Sequence, residues 1–113
     1  MPKINTLKKN GYFRRAYARG KSFTDPALVT YVIKNGAGIR RIGITTGRKL
    51  GNAVERNRCK RIIKAAYMEL DGRLKNGYDI VFVARHKTVY KKSTDIKRVM
   101  EKQFKSAGIF IAE

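Results

Sequence analysis

Arg56, Asn57, Lys60, Arg61 and Lys64 carry the plainest chemistry in the chain. On a helix, at about 100° per residue, they share one stripe. Arg58 projects away from the centre of that stripe. Such a face suits a phosphate backbone: Arg forks grip phosphate oxygens in pairs, Lys acts as a point charge, and Asn reaches a sugar or base. A solvated helix face balanced by acids is the plainer alternative, but the stripe contains no acid. Upstream, residues 45–52 read Thr-Thr-Gly-Arg-Lys-Leu-Gly-Asn. Arg48, Lys49 and Asn52 here form either an anion site at a helix N-terminus or a glycine turn with exposed charges. The order GxxxxGK[ST] is absent, so this is no P-loop.

The parts for hydrolysis by protein are missing. The acids are Asp25, Glu55, Glu69, Asp71, Asp79, Asp95, Glu101 and Glu113, and they form no DxD or ExK cluster. Asp71 and Asp79 flank a turn and would meet only by chance. His86 is the sole histidine, between Arg85 and Lys87, and reads as an RNA contact or a surface residue. Cys59 falls on an apolar stripe and reads as a buried structural thiol. No catalytic residue is expected in this chain.

Charge points the same way. Lys and Arg number 27 against 8 acids, a formal net charge of +19 in 113 residues. Solubility needs only about 2–8 net charges in a small domain. A polyanionic partner is expected, with nucleic acid ahead of a membrane surface because the cations lie among folded segments. No apolar run is long enough to span a bilayer, and the start, Met1-Pro2-Lys3-Ile4-Asn5, lacks a signal peptide's apolar stretch. With one cysteine, a reducing, cytoplasmic setting is expected.

The elements that would position these groups read as one domain, residues 1–113. Asn10 starts a helix to about Arg19, with Phe13, Ala16 and Tyr17 on one face. Gly20 stops it. Residues 28–33 form a β-branched strand, Asn35-Gly36 a turn, and residues 41–46 a second strand. Asn52 with Glu55 resembles a capping box opening a second helix. Cys59, Ile62, Ile63, Ala66, Tyr67 and Leu70 follow helical spacing, and Gly72 ends it. After the Asn76-Gly77 turn, residues 78–84 are apolar on both faces, as a central strand is. Ser93 or Thr94 caps a last helix with Ile96, Val99, Met100 and Phe104 inward, ending near Gly108. The order α-β-β-α-β-α predicts an α/β (α+β) sandwich.

Residues 49–64, Lys-Leu-Gly-Asn-Ala-Val-Glu-Arg-Asn-Arg-Cys-Lys-Arg-Ile-Ile-Lys, resemble the RNR signature of the bacterial ribonuclease P protein family. Residues 13–20, with their paired aromatics, resemble the family's first helix. Residues 42–44 and 79–85 resemble its strands. Lys64 stands where many relatives carry Arg, which keeps the charge but loses the fork. The resemblance implies an α-β-sandwich with a left-handed βαβ crossover, against the usual hand. It implies that Arg48, Lys49, Asn52, Arg56, Asn57, Arg58, Lys60, Arg61 and Lys64 face the ribonuclease P RNA. A separate cleft between the first helix and the sheet would take the 5′ leader of precursor tRNA, with Phe13, Tyr17 and Tyr31 stacking on bases and Lys21, Arg85 and Lys87 holding phosphates. On the residues alone, such aromatics are more often core. The chemistry would belong to the RNA and its Mg²⁺ ions. Metal sites on the protein are not located, and neither DNA nor membrane is expected as a partner.

Overall fold

The computed structural model describes residues 4–111. Residues 1–3, which enter the signal-peptide reading, and Glu113 lie outside the described residues.

Among the described residues, five strands and three α-helices follow in the order β1 (Asn5–Thr6), α1 (Asn10–Arg19), β2 (Lys21–Asp25), β3 (Leu28–Lys34), β4 (Arg41–Thr45), α2 (Ala53–Met68), β5 (Tyr78–Ala84) and α3 (Ser93–Ala107). The expected α/β sandwich is present, with two further short strands. Both evade pattern reading for physical reasons. β1 has only two residues, and β2, Lys-Ser-Phe-Thr-Asp, is a polar edge strand whose Phe23 is half-buried. The sheet order is β1-β4-β5-β3-β2. β4 runs parallel to both β1 and β5, while β3 is antiparallel to both β5 and β2. The Asn35-Gly36 turn therefore closes no hairpin, because β5 lies between β3 and β4. The turn is instead stitched to the start of β5, where Asn35 N–H donates to Gly77 O at 2.9 Å and Asn35 Nδ2 to Asp79 Oδ1 at 2.9 Å.

Strand alternation divides the side chains between two layers. On one face Leu28, Val32, Ile80 and Phe82 pack with Cys59, Ile63 and Tyr67 of α2 and with Ile96, Met100 and Phe104 of α3. Tyr67, Phe82 and Phe104 form a ring cluster with centroids 5.7–6.4 Å apart. α3 is also held by hydrogen bonds: buried Gln103 accepts from Thr30 Oγ1 at 2.6 Å and donates to Phe23 O and Leu28 O. α1 covers the other face, where Ala16 packs on Leu7 and Val81 beside half-buried Phe13, Tyr31 and Val83.

The helix ends depart from expectation in detail. Asn52 and Glu55 do form a reciprocal capping box on α2. Asn10 is the first helical residue of α1 rather than its cap, a place taken by Lys9. α2 stops at Met68, and Gly72 sits in a 3-10 turn, Asp71–Arg73. Ser93 and Thr94 are both helical, so neither caps α3. Asp95 instead accepts from Lys92 N–H at 3.0 Å, an anion at the positive end of the helix. Gly108 ends α3 at φ +71, a left-handed conformation that favours glycine.

Candidate nucleic-acid interface

α2 is rigid because its inner face is buried and its N-terminus is capped. Cys59, Ile63, Ala66 and Tyr67 face the core. Outward, Asn57, Lys60, Arg61 and Lys64 are exposed. Arg56 is half-buried and donates from Nη1 to Gly51 O at 3.0 Å, so part of its fork is spent on the loop. Asn52 commits its side-chain oxygen to the Glu55 N–H at 2.9 Å. Arg48 and Lys49 project from a 3-10 turn (Arg48–Leu50) anchored by buried Leu50. Gly51, at φ +141, also leaves room for the Glu55 carboxylate, which a Cβ there would meet at 2.4 Å.

Arg58 is placed differently from its neighbours. It is half-buried, and its guanidinium donates to Val89 O and, at 3.2 Å, to Lys91 O. It ties α2 to the segment after β5 instead of facing outward with the stripe.

A groove of about 360 Å³ runs between α1 and α2, past the outer edge of β4. It exists because β1 pairs only with Arg41 and Ile42, leaving the rest of that edge uncovered. Its walls are Asn10, Phe13 and Tyr17 of α1, Ile44 to Thr46, and Lys60 of α2. A second hollow of about 230 Å³ shares Phe13, Ile44 and Lys60 and adds Lys64. Basic helix and aromatic groove are thus one continuous surface. Asn10, Thr45 and Thr46 were not foreseen as part of it. The alternation of β4, which puts Thr45 on the face of Gly43, was the available signal.

The three aromatics are neither wholly core nor wholly free. Phe13 is half-buried against Gly43, where an added Cβ would meet the ring at 2.5 Å. Tyr17 is 40% exposed, and its hydroxyl lies 2.7 Å from Thr45 Oγ1. Tyr31 packs edge-on against Tyr17, with centroids 5.1 Å apart at 78°. The cations expected beside them are more scattered. Arg85 and Lys87 are exposed beyond the end of β5. Arg85 lies four residues past Val81, the partner of Tyr31, or roughly 13 Å along the strand. Lys21 pairs with Val32, a residue of the α2–α3 core, so alternation directs it to the opposite face from Tyr31.

Two acids are bound in structural ion pairs. Asp79, 1% exposed, receives Arg41 Nε at 2.7 Å and Nη2 at 2.9 Å. The same guanidinium lies 4.2 Å from the centroid of Tyr12 and so ties α1 to the sheet. The hydrogen bond from Arg41 to Asp79 holds the Arg41 pKa above its ordinary value. Asp71 binds Arg40 at 2.8 Å and the Tyr67 hydroxyl at 2.6 Å. Burial, then the bond to Asp71, raises the Tyr67 phenol. Each of the two acids has its own arginine, and they do not form a pair. Cys59 is fully buried and its thiol is pushed up by desolvation. Among the described residues, no three His, Cys, Asp or Glu side chains are grouped to hold a metal ion. No helix among them is long and apolar enough to cross a membrane.

Comparison with known proteins identifies the family. The profile of the Ribonuclease P family matches residues 1–108. The ribonuclease P protein component of Clostridium botulinum (strain Loch Maree / Type A3) is 43% identical over 109 residues, spanning 96% of this chain and 98% of that one. The protein component of Clostridioides difficile (strain 630) is 42% identical over 106 residues, 93% of each chain. The RNase P protein of Staphylococcus aureus superposes with a TM-score of 0.83 at 32% identity, covering 96% of this chain and 100% of that one. That of Thermotoga maritima gives 0.79 at 26% identity, covering 90% and 96%. With sequence and fold in agreement along almost its whole length, the chain belongs to the ribonuclease P protein component family.

Proposed function

We propose that this chain binds the ribonuclease P RNA along the outer face of α2 and the 5′ leader of precursor tRNA in the groove between α1 and α2. Membership of the family gives it a part in tRNA 5′ processing and an RNA partner. The finer division of labour rests chiefly on one observation: a half-open aromatic groove shares Lys60 with the basic helix. A strand lying in that groove would meet the Phe13 and Tyr17 rings and a cation, the requirements for binding unpaired RNA with little sequence preference. Only the precursor carries a leader, so such contacts favour substrate over product. Cleavage is assigned to the RNA, whose Mg²⁺ ions would activate water and stabilise the leaving oxygen. Asp71 and Asp79 are each engaged by their own arginine, Arg40 and Arg41, in keeping with that assignment.

The test is reconstitution with catalytic RNA and precursors of graded leader length. Phe13→Ala with Tyr17→Ala should cost about 1–3 kcal/mol of precursor affinity per lost stack, with mature tRNA affinity almost unchanged. Shortening the leader on wild-type holoenzyme should mimic the double variant, without full additivity. Equal losses for precursor and mature tRNA would remove the leader from the groove.

A further inference from the structure

Tyr90 is 84% exposed, more than any other large apolar side chain among the described residues. It ends a 3-10 turn, His86–Tyr90, on the far side of α2 from the groove. On the helix, Arg58, which reaches this turn, lies roughly 120–160° from Lys60 and Lys64, which line the groove. The outward crest between them carries Arg61.

The backbone on both sides of Tyr90 is held. Arg58 donates to the carbonyls of Val89 and Lys91, the residues immediately before and after it. Lys91 N–H bonds Thr88 O at 3.1 Å, and Thr88 N–H bonds Arg85 O at 2.9 Å. The buried Thr88 hydroxyl donates to Ala27 O, which anchors the turn to the start of β3. An exposed ring on a fixed backbone loses little chain entropy when a ligand stacks on it. Lys87, Lys91 and Lys92 surround it in sequence. The adjoining hollow sets Lys91, Arg98 and Lys102 against Asp25 and Asp95, a positive balance.

We infer that Tyr90 is a stacking platform for an unpaired base of the catalytic RNA, and that Arg58 is a positioning residue that presents it. The inference rests on the reading of α2 as the catalytic-RNA face. It extends that face across the crest of the helix onto the turn. The leader is the less suitable occupant, because α2 stands between its groove and Tyr90. Arg58 then serves RNA binding without touching a phosphate, through two main-chain carbonyls of its own protein.

The chain has no tryptophan, so Tyr90→Trp installs a single indole, excited selectively over the tyrosines, at the proposed contact. Its emission should be quenched on titration with catalytic RNA, saturating at the wild-type affinity. Tyr90→Ala should weaken binding about 5- to 150-fold, the range for one stacked base. It should leave the salt dependence intact, because no phosphate contact is lost. Tyr90→Phe should bind like wild type. Arg58→Ala should weaken binding comparably, and combining it with Tyr90→Ala should add little. Arg61→Ala serves as the control: it should weaken binding and flatten the salt dependence. If Arg61→Ala does so while Tyr90→Ala and the Tyr90→Trp emission are unaffected, the platform is refuted and the α2 interface stands. If none of the variants changes binding, the reading of α2 falls and the platform with it. Quenching by precursor tRNA alone, with none by catalytic RNA, would also overturn the proposal.

Discussion

Replacing Gly43 with alanine drives a methyl group into the Phe13 ring. The added Cβ would lie 2.5 Å from two ring carbons and 3.3 Å from a Leu7 methyl. Overpacking of this kind costs about 1–3 kcal/mol. Against it stands the stiffer unfolded chain, which returns about 0.4–1 kcal/mol. The backbone at Gly43 lies in a regular strand, so no strain enters the balance. The net expectation is a loss of roughly 0–2.5 kcal/mol. In a Phe13→Ala background the ring is gone and only the Leu7 methyl stays close, with free space beside it to move into, so the same substitution should become stabilising by up to about 1 kcal/mol. Urea unfolding followed by circular dichroism, on the two single variants and the double, reads this change of sign. Precursor affinity should fall in Gly43→Ala as well, because the displaced ring is a wall of the groove. Additive stabilities in the double-mutant cycle would refute the argument that Gly43 is there to seat Phe13.

Three further outcomes are expected. Gln103→Leu should cost about 1–3 kcal/mol by leaving the buried Thr30 hydroxyl without its acceptor and removing one bond each from the Phe23 and Leu28 carbonyls, and adding Thr30→Val should recover part of it in the same unfolding assay. Arg61→Ala should lose RNA affinity at no stability cost, whereas Arg56→Ala should lose both, since Arg56 also bonds Gly51 O. Equal melting temperatures for the two variants would contradict this. Burial raises the Cys59 pKa above its ordinary 9.0, so the folded state holds that proton more tightly than the unfolded chain does. The resulting stability is full below 9.0 and is lost as pH rises past it. Denaturation across alkaline pH should therefore show a shallower decline for Cys59→Ala than for wild type.

Some parts of the fold were legible because they depend on local rules. The Asn52–Glu55 box and the spacing of Cys59, Ile63, Ala66 and Tyr67 define α2 within a few turns of chain. The unbroken apolar run of β5 marks a strand buried on both faces, and β5 is indeed central in the sheet. β2 was not legible, because a strand at the sheet edge needs few apolar residues. Nor did the turn at Asn35 reveal that β5 would enter between β3 and β4, since that pairing joins residues more than thirty positions apart.

The sequence by itself determined the chemistry available: a surplus of cations, a basic helix face, paired aromatics and no catalytic cluster of acids. Residue type and short-range spacing suffice for that. The tertiary structure decided which of those groups work together, because packing alone sets the direction of a side chain. Strand parity turned Lys21 away from Tyr31. A short β1 left the β4 edge open, so that Phe13 and Tyr17 meet Lys60. Contact between α2 and the turn after β5 bonded Arg58, which helical spacing already sets off the centre of the stripe, to the carbonyls on either side of Tyr90, thirty-two residues along the chain. No periodicity along the chain carries that information, because the bonds run to main-chain carbonyls, which every residue has.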